Sequence, residues 1–77
     1  NPFNATTTIT YQLPEASSVN LAIYNLSGQK VAALEDGFRN AGEYSVTWDA
    51  SNYSSGVYFY KLEVGGEVFT KRMTLLK

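Results

Sequence analysis

Residues 56–75 read GVYFYKLEVGGEVFTKRMTL, and this stretch decides the fold class. Two runs, Val57 to Val64 and Glu67 to Leu75, flank Gly65-Gly66, a two-residue loop that signals a β-hairpin and is compatible with a type I′ turn. That turn sets Val64 opposite Glu67, Leu62 opposite Phe69, Tyr60 opposite Lys71 and Tyr58 opposite Met73. Tyr58, Tyr60, Leu62, Phe69, Met73 and Leu75 then share one face, which is expected to be the core side. The other face sets Phe59 against Arg72 and Val57 against Thr74, a mixed surface where the ring would carry the guanidinium. Val57 to Tyr60 is apolar on both faces, as a central strand is.

Upstream, the same period of two recurs. Tyr44, Val46 and Trp48 alternate with Ser45, Thr47 and Asp49, and Ile9, Tyr11 and Leu13 with Thr8, Thr10 and Gln12. Pro14 ends the latter strand. Val19, Leu21 and Ile23 resume the pattern over Ser18 to Asn25 after a Pro-Glu-Ala-Ser-Ser turn, so short that these two strands are expected to form a hairpin. Leu26 to Gln29 reads as a tight turn with Gly28 at positive φ. Val31, Ala33 and Leu34 then suggest a short strand. A helix over Gln29 to Glu35 is the competing reading, set aside because the segment is shorter than a stable helix.

Glu35 to Gly42, with Asp36-Gly37 and Asn40-Ala41-Gly42, reads as a connection, and Asp49 to Gly56 as a polar loop carrying Tyr53. Six or seven short strands with turn signals every eight to twelve residues describe an all-β chain, an immunoglobulin-like antiparallel β-sandwich. Gly56-Val57-Tyr58 after a polar loop fits a tyrosine corner, in which the Tyr58 hydroxyl bonds backbone upstream.

Composition narrows the function. A chain of 77 residues with net charge −1 is expected to be one domain, and it lacks the basic footprint of a nucleic-acid binder. It has no cysteine, so its core must hold it without disulfides. No apolar run reaches the roughly 20 residues that cross a bilayer as a helix. The abrupt start at Asn1-Pro2-Phe3-Asn4 suggests a piece of a larger exported protein whose signal peptide lies upstream.

Histidine is also absent, which removes the commonest general base and metal ligand along with the thiolate. Glu35 and Asp36 are adjacent on a strand end, point to opposite faces, and read as a solvated pair with no acid/base role. Asp49 reads as a turn cap for Ala50-Ser51-Asn52, in preference to a calcium ligand. Trp48, Tyr53, Tyr58 and Tyr60 would make a sugar-stacking platform if they lay flat and exposed. Trp48 and Tyr44 share a face with Val46, the pattern of buried residues, which favours core packing, and Tyr53 alone is placed in a loop. Lys71-Arg72 and Lys77 form a small basic cluster, either a solvated edge that resists aggregation or a recognition feature.

Three blocks in order carry a resemblance: Asn1-Pro2-Phe3-Asn4 with Thr6-Thr7-Thr8-Ile9; Val19-x-Leu21-x-Ile23-Tyr24-Asn25-x-x-Gly28-x-x-Val31; and Ser55 to Leu62 through Lys71-Arg72-Met73. Over essentially its whole length the chain resembles the C-terminal sorting domain of the type IX secretion system. Gly42 to Asp49 also resembles the immunoglobulin-like domain of flagellar hook-capping proteins. The first resemblance implies a non-catalytic secretion signal, without cofactors, at the C-terminal end of cargo proteins in Bacteroidota and related bacteria. It implies N-terminal cargo domains in the same precursor, transit of the periplasm, and reading by an outer-membrane translocon. Release or surface attachment by a sortase-like peptidase follows.

By the same resemblance the recognition residues are Asn1 and Pro2 at the domain entrance, Gly28 in the central turn, Gly56 and Tyr58 on the penultimate strand, and Lys71, Arg72 and Lys77 at the end. Ala5 and Tyr53 depart from that family's usual proline and aliphatic residue. The runner-up functions are an accessory carbohydrate-binding module and a structural immunoglobulin-like spacer. An exposed row of aromatics would favour the first of these.

Overall fold

Alternation of apolar and polar residues becomes strands throughout, and the pairing of the strands sorts them into two layers. The computed structural model describes residues 2–3, by their backbone, and 6–76. Expectations that fall on Asn1, Asn4, Ala5 and Lys77 lie outside the described residues. The strands are β1 (Pro2–Phe3), β2 (Thr6–Leu13), β3 (Ser17–Asn25), β4 (Lys30–Arg39), β5 (Gly42–Asp49), β6 (Gly56–Val64) and β7 (Glu67–Leu75). They form a five-stranded sheet in the order β1-β7-β6-β3-β4 and a two-stranded sheet, β2-β5. The fold is the expected immunoglobulin-like β-sandwich, antiparallel apart from the parallel pairing of β1 with β7.

The inward residues meet between the layers: Ile9, Tyr11 and Leu13 from β2 and Trp48 from β5 pack on Val19, Leu21, Ile23, Tyr58, Leu62, Met73 and Leu75 of the larger sheet. Burying side chains of this size stabilises the fold by about 1.5–3 kcal/mol each before conformational entropy is set against it.

The hairpin expected of β2 and β3 does not form. β2 pairs instead with β5, in a register that sets Ile9 opposite Val46 and Tyr11 opposite Tyr44. The Tyr11 and Tyr44 rings stack at 5.4 Å on the inner face. On the outer face Thr8 bonds Thr47 and Thr10 bonds Ser45, each at 3.2 Å. Cross-strand partners thus match on both faces. A β2–β3 hairpin would have set two apolar faces side by side in one sheet; crossing at Pro14 lays one over the other.

A second correction concerns Glu35 to Gly42. β4 continues through it to Arg39, pairing Leu21 with Glu35 and Ser17 with Arg39, so only Asn40 and Ala41 connect β4 to β5. Two bulges hid the strand. Leu34 and Val31 have no opposite number on β3, so the inward positions slip out of a strict period of two. Gly37, read as a turn residue, gives room to Arg39, whose Nη1 lies 3.0 Å from where a Cβ on Gly37 would sit.

The β6–β7 hairpin has the expected register from Val64 opposite Glu67 to Tyr58 opposite Met73. Its turn differs from the type I′ expectation. Gly65 has φ +61 while Gly66 is not at positive φ, which is the II′ pattern. Gly28 has φ +86 in the β3–β4 turn, as expected.

Candidate recognition surface along the final strand

The loop from β5 to β6 shapes one end of the sandwich. Asp49 Oδ1 accepts the Ser51 N–H at 3.0 Å, the turn cap expected of it. The Tyr53 hydroxyl reaches back to β4 and donates to the Val31 carbonyl at 2.8 Å. Tyr58 donates to the Ser54 carbonyl at 2.7 Å, which is the expected tyrosine corner. The Trp48 ring lies 5.3 Å from both the Tyr53 and the Tyr58 ring, tilted in one case and edge-on in the other. Trp48 and Tyr58 are buried, and Tyr53 and Tyr60 half-buried. These four rings therefore build core, and they present no flat row for a sugar.

The acidic pair divides. Asp36 is exposed, but Glu35 is half-buried and accepts from the Tyr11 hydroxyl at 3.2 Å and from Arg39 Nε at 3.3 Å. Sequence reading as a solvated strand end missed this. The available signal was Arg39 four residues on, which in a strand shares a face with Glu35. Burial, then the hydrogen bond to Glu35 and that carboxylate's charge, push the Tyr11 hydroxyl up to about 12.

Most residues named by resemblance converge on the margin formed by β1, β7 and β6. The Pro2 backbone runs beside Thr74. Gly56 sits opposite Leu75 and Tyr58 opposite Met73, while Lys71 and Arg72 are exposed on β7. Gly28 stands apart, in a turn closed by its N–H on the Asn25 carbonyl at 3.0 Å. Because Asn25 sits opposite Tyr58, that turn is at the same end of the sheet as Gly56.

β1 covers β7 only at Thr74 and Leu75, so among the described residues the edge from Glu67 to Met73 is open. Lys71 faces the interior side of this edge, where a cleft of about 130 Å³ separates it from Thr7 to Thr10 of β2. Arg72 faces the opposite side, beyond Phe59. Among the described residues the cation–π contact on that outer face is Lys61 Nζ over the Tyr24 ring, 5.8 Å from its centroid, and not the expected one between Arg72 and Phe59. Phe69, expected in the core, is 53% exposed. Its register is inward as foreseen, but it borders an open groove shared with Gln12, Pro14 and Leu62.

Fold and edge together define an immunoglobulin-like sandwich module in which, among the described residues, β1 covers the last strand only at Thr74 and Leu75. A family model described as the secretion system C-terminal sorting domain matches residues 1–75, and the chain belongs to that family. Its function is that of the C-terminal sorting signal of the type IX secretion system, which directs a cargo protein across the outer membrane. Comparison with curated proteins found no match. Among the described residues no helix is long and apolar enough to cross a membrane.

Proposed function

We propose that the chain is a non-catalytic signal, a single domain over residues 1–77 cut from a larger secreted protein, and that an outer-membrane translocon reads the folded edge of β7. Cargo joined at its N-terminal side passes through the periplasm, and a sortase-like peptidase then releases it or fixes it to the cell surface. The observation that carries the reading is the β7 edge, uncovered among the described residues from Glu67 to Met73, with Lys71 and Arg72 exposed on the two faces of the strand. A receptor that accepts unrelated cargoes must read what the signal domains share, and a free strand edge offers backbone hydrogen bonds while fixed cations steer the encounter.

Within the proposed set, Lys71 and Arg72 contact the receptor. Pro2, Gly56 and Tyr58 shape the margin that holds them, and Gly28, Asn1 and Lys77 join the set by resemblance. The lack of histidine and cysteine in the whole sequence supports the absence of catalysis.

The test is fractionation of a fluorescent reporter carrying this chain at its C-terminus, in a type IX host and in a translocon-deficient strain. The expected result is reporter at the surface or in the medium of the first and in the periplasm of the second. Removing Leu75, Leu76 and Lys77 should strand the reporter in the periplasm of both, and efficient secretion of that truncation would overturn the reading.

A further inference from the structure

We infer that the outer face of the larger sheet holds a second docking site, a cleft beside the β3–β4 turn that takes an acidic peptide segment of a partner protein by one apolar side chain and its flanking carboxylates. The cleft is centred on β3 and β6, and the inference does not rest on the reading of the β7 edge.

Cross-strand register builds the site. Lys30, Tyr24, Phe59 and Arg72 stand opposite one another in turn on β4, β3, β6 and β7, so two neighbouring rings have a cation at each end. Three strand spacings make this row about 14 Å long, within the reach of a short peptide. Lys61 adds a third cation, its Nζ over the Tyr24 ring. Between the rings and the turn lies a cleft of about 320 Å³ lined by Tyr24, Leu26, Gly28, Phe59, Lys61 and Thr70. The turn that walls it is stiff. Asn25 and Gln29 exchange three hydrogen bonds, backbone and side chain, each of 3.0 Å, and the Gly28 N–H closes on the Asn25 carbonyl. Leu26, 72% exposed, is therefore held out over the cleft at little further entropic cost to a ligand.

Charge fixes the occupant. Among the described residues none of Lys30, Lys61 and Arg72 is in an ion pair. The carboxylates of the same face, Asp36 and Glu63, flank Asn20, four residues along β3 from Tyr24 or roughly 13 Å. The half of the face around the cleft is thus cationic and draws an anionic partner. Rings beside cations are the usual anchors of a protein interface, and acidic motifs are read by such clusters. Lys61 favours a peptide over an acidic sugar. Its ammonium already covers a face of the Tyr24 ring on which a sugar would stack, whereas a carboxylate pairs with that ammonium where it stands. The site also gives a part to Gly28, whose turn positions Leu26 although it lies away from Lys71.

Fluorescence anisotropy tests this with a labelled peptide, a Phe with two Glu on each side in a Gly-Ser frame, titrated with the chain at low salt. Saturable binding with a dissociation constant of about 0.1 mM is expected. Replacing the peptide's Glu by Gln, or its Phe by Ala, should weaken binding about tenfold or more. In the chain, Lys61→Glu should weaken it about tenfold and Leu26→Ser about fivefold with unchanged circular dichroism, while Lys61→Arg keeps the wild-type affinity. No binding at millimolar chain would overturn the inference, as would an affinity indifferent to Lys61→Glu or Leu26→Ser, or equal binding of the Gln peptide. Displacement of the peptide by a lower concentration of trigalacturonate would overturn it in favour of an acidic sugar.

Discussion

Two tyrosines carry the local chemistry of this domain, and each makes a separable prediction. Tyr58 is buried with its hydroxyl on the Ser54 carbonyl. Tyr58→Phe keeps the ring and removes that bond. The expected loss is about 0.5–1.5 kcal/mol, read as a lower denaturant midpoint at unchanged slope. Tyr11 speaks through pH. Its pKa is raised from 10.0 to about 12, so between those values the unfolded chain releases a proton that the folded chain keeps. With more protons on the native state, stability falls as pH rises. The contribution is fully present below pH 10 and gone above about pH 12. Denaturant melts across this window should show a shallower decline for Tyr11→Phe than for the wild type. Equal slopes would mean that Tyr11 titrates alike in both states.

At the level of the element, the β6–β7 turn separates two glycines that look equivalent in the sequence. Gly65 at φ +61 occupies backbone space that disfavours an L side chain, and Gly65→Ala should cost about 1–2 kcal/mol. A Cβ on Gly66 meets nothing within 4 Å and no positive φ. Gly66→Ala should therefore be neutral or stabilise by up to about 1 kcal/mol through the unfolded chain. Thermal melts of the two variants decide between the II′ turn and the I′ turn that the dipeptide suggests, since the latter would penalise both. The same hairpin was legible in the sequence down to its register because a two-residue loop fixes which residues oppose. Partners of β2 were not, since a short Pro-containing connection serves a hairpin and a sheet-to-sheet crossing equally well. β4 was half-legible: its bulges at Val31 and Leu34 broke the alternation that identifies strands. Of the candidate surface, Lys71 and Arg72 could be named from sequence. The openness of their edge depends on how far two-residue β1 runs along β7, and periodicity says nothing about that.

For the molecule as a whole the decisive question is whether the sorting machinery reads a folded surface or a linear tail. A domain of this size has roughly 4–12 kcal/mol of stability at about 0.05–0.15 kcal/mol per residue, and without cysteine no disulfide adds to it. Trp48 joins both sheets, packing on Tyr53 and Tyr58 while 3% exposed, and Trp48→Ala removes about 3–5 kcal/mol. That loss brings the domain near or past its unfolding threshold without touching β7. A linear signal would survive it, because Lys71, Arg72 and the residues after them remain in the chain. An edge signal would not, because β7 is held by β6 and β6 by the core. The expected result is loss of cooperative melting together with periplasmic retention of a Trp48→Ala reporter, whereas Lys71→Ala with Arg72→Ala should retain the reporter while melting as the wild type does. Export of the unfolded Trp48→Ala chain at wild-type efficiency would place the signal in the tail sequence and remove the edge from the mechanism.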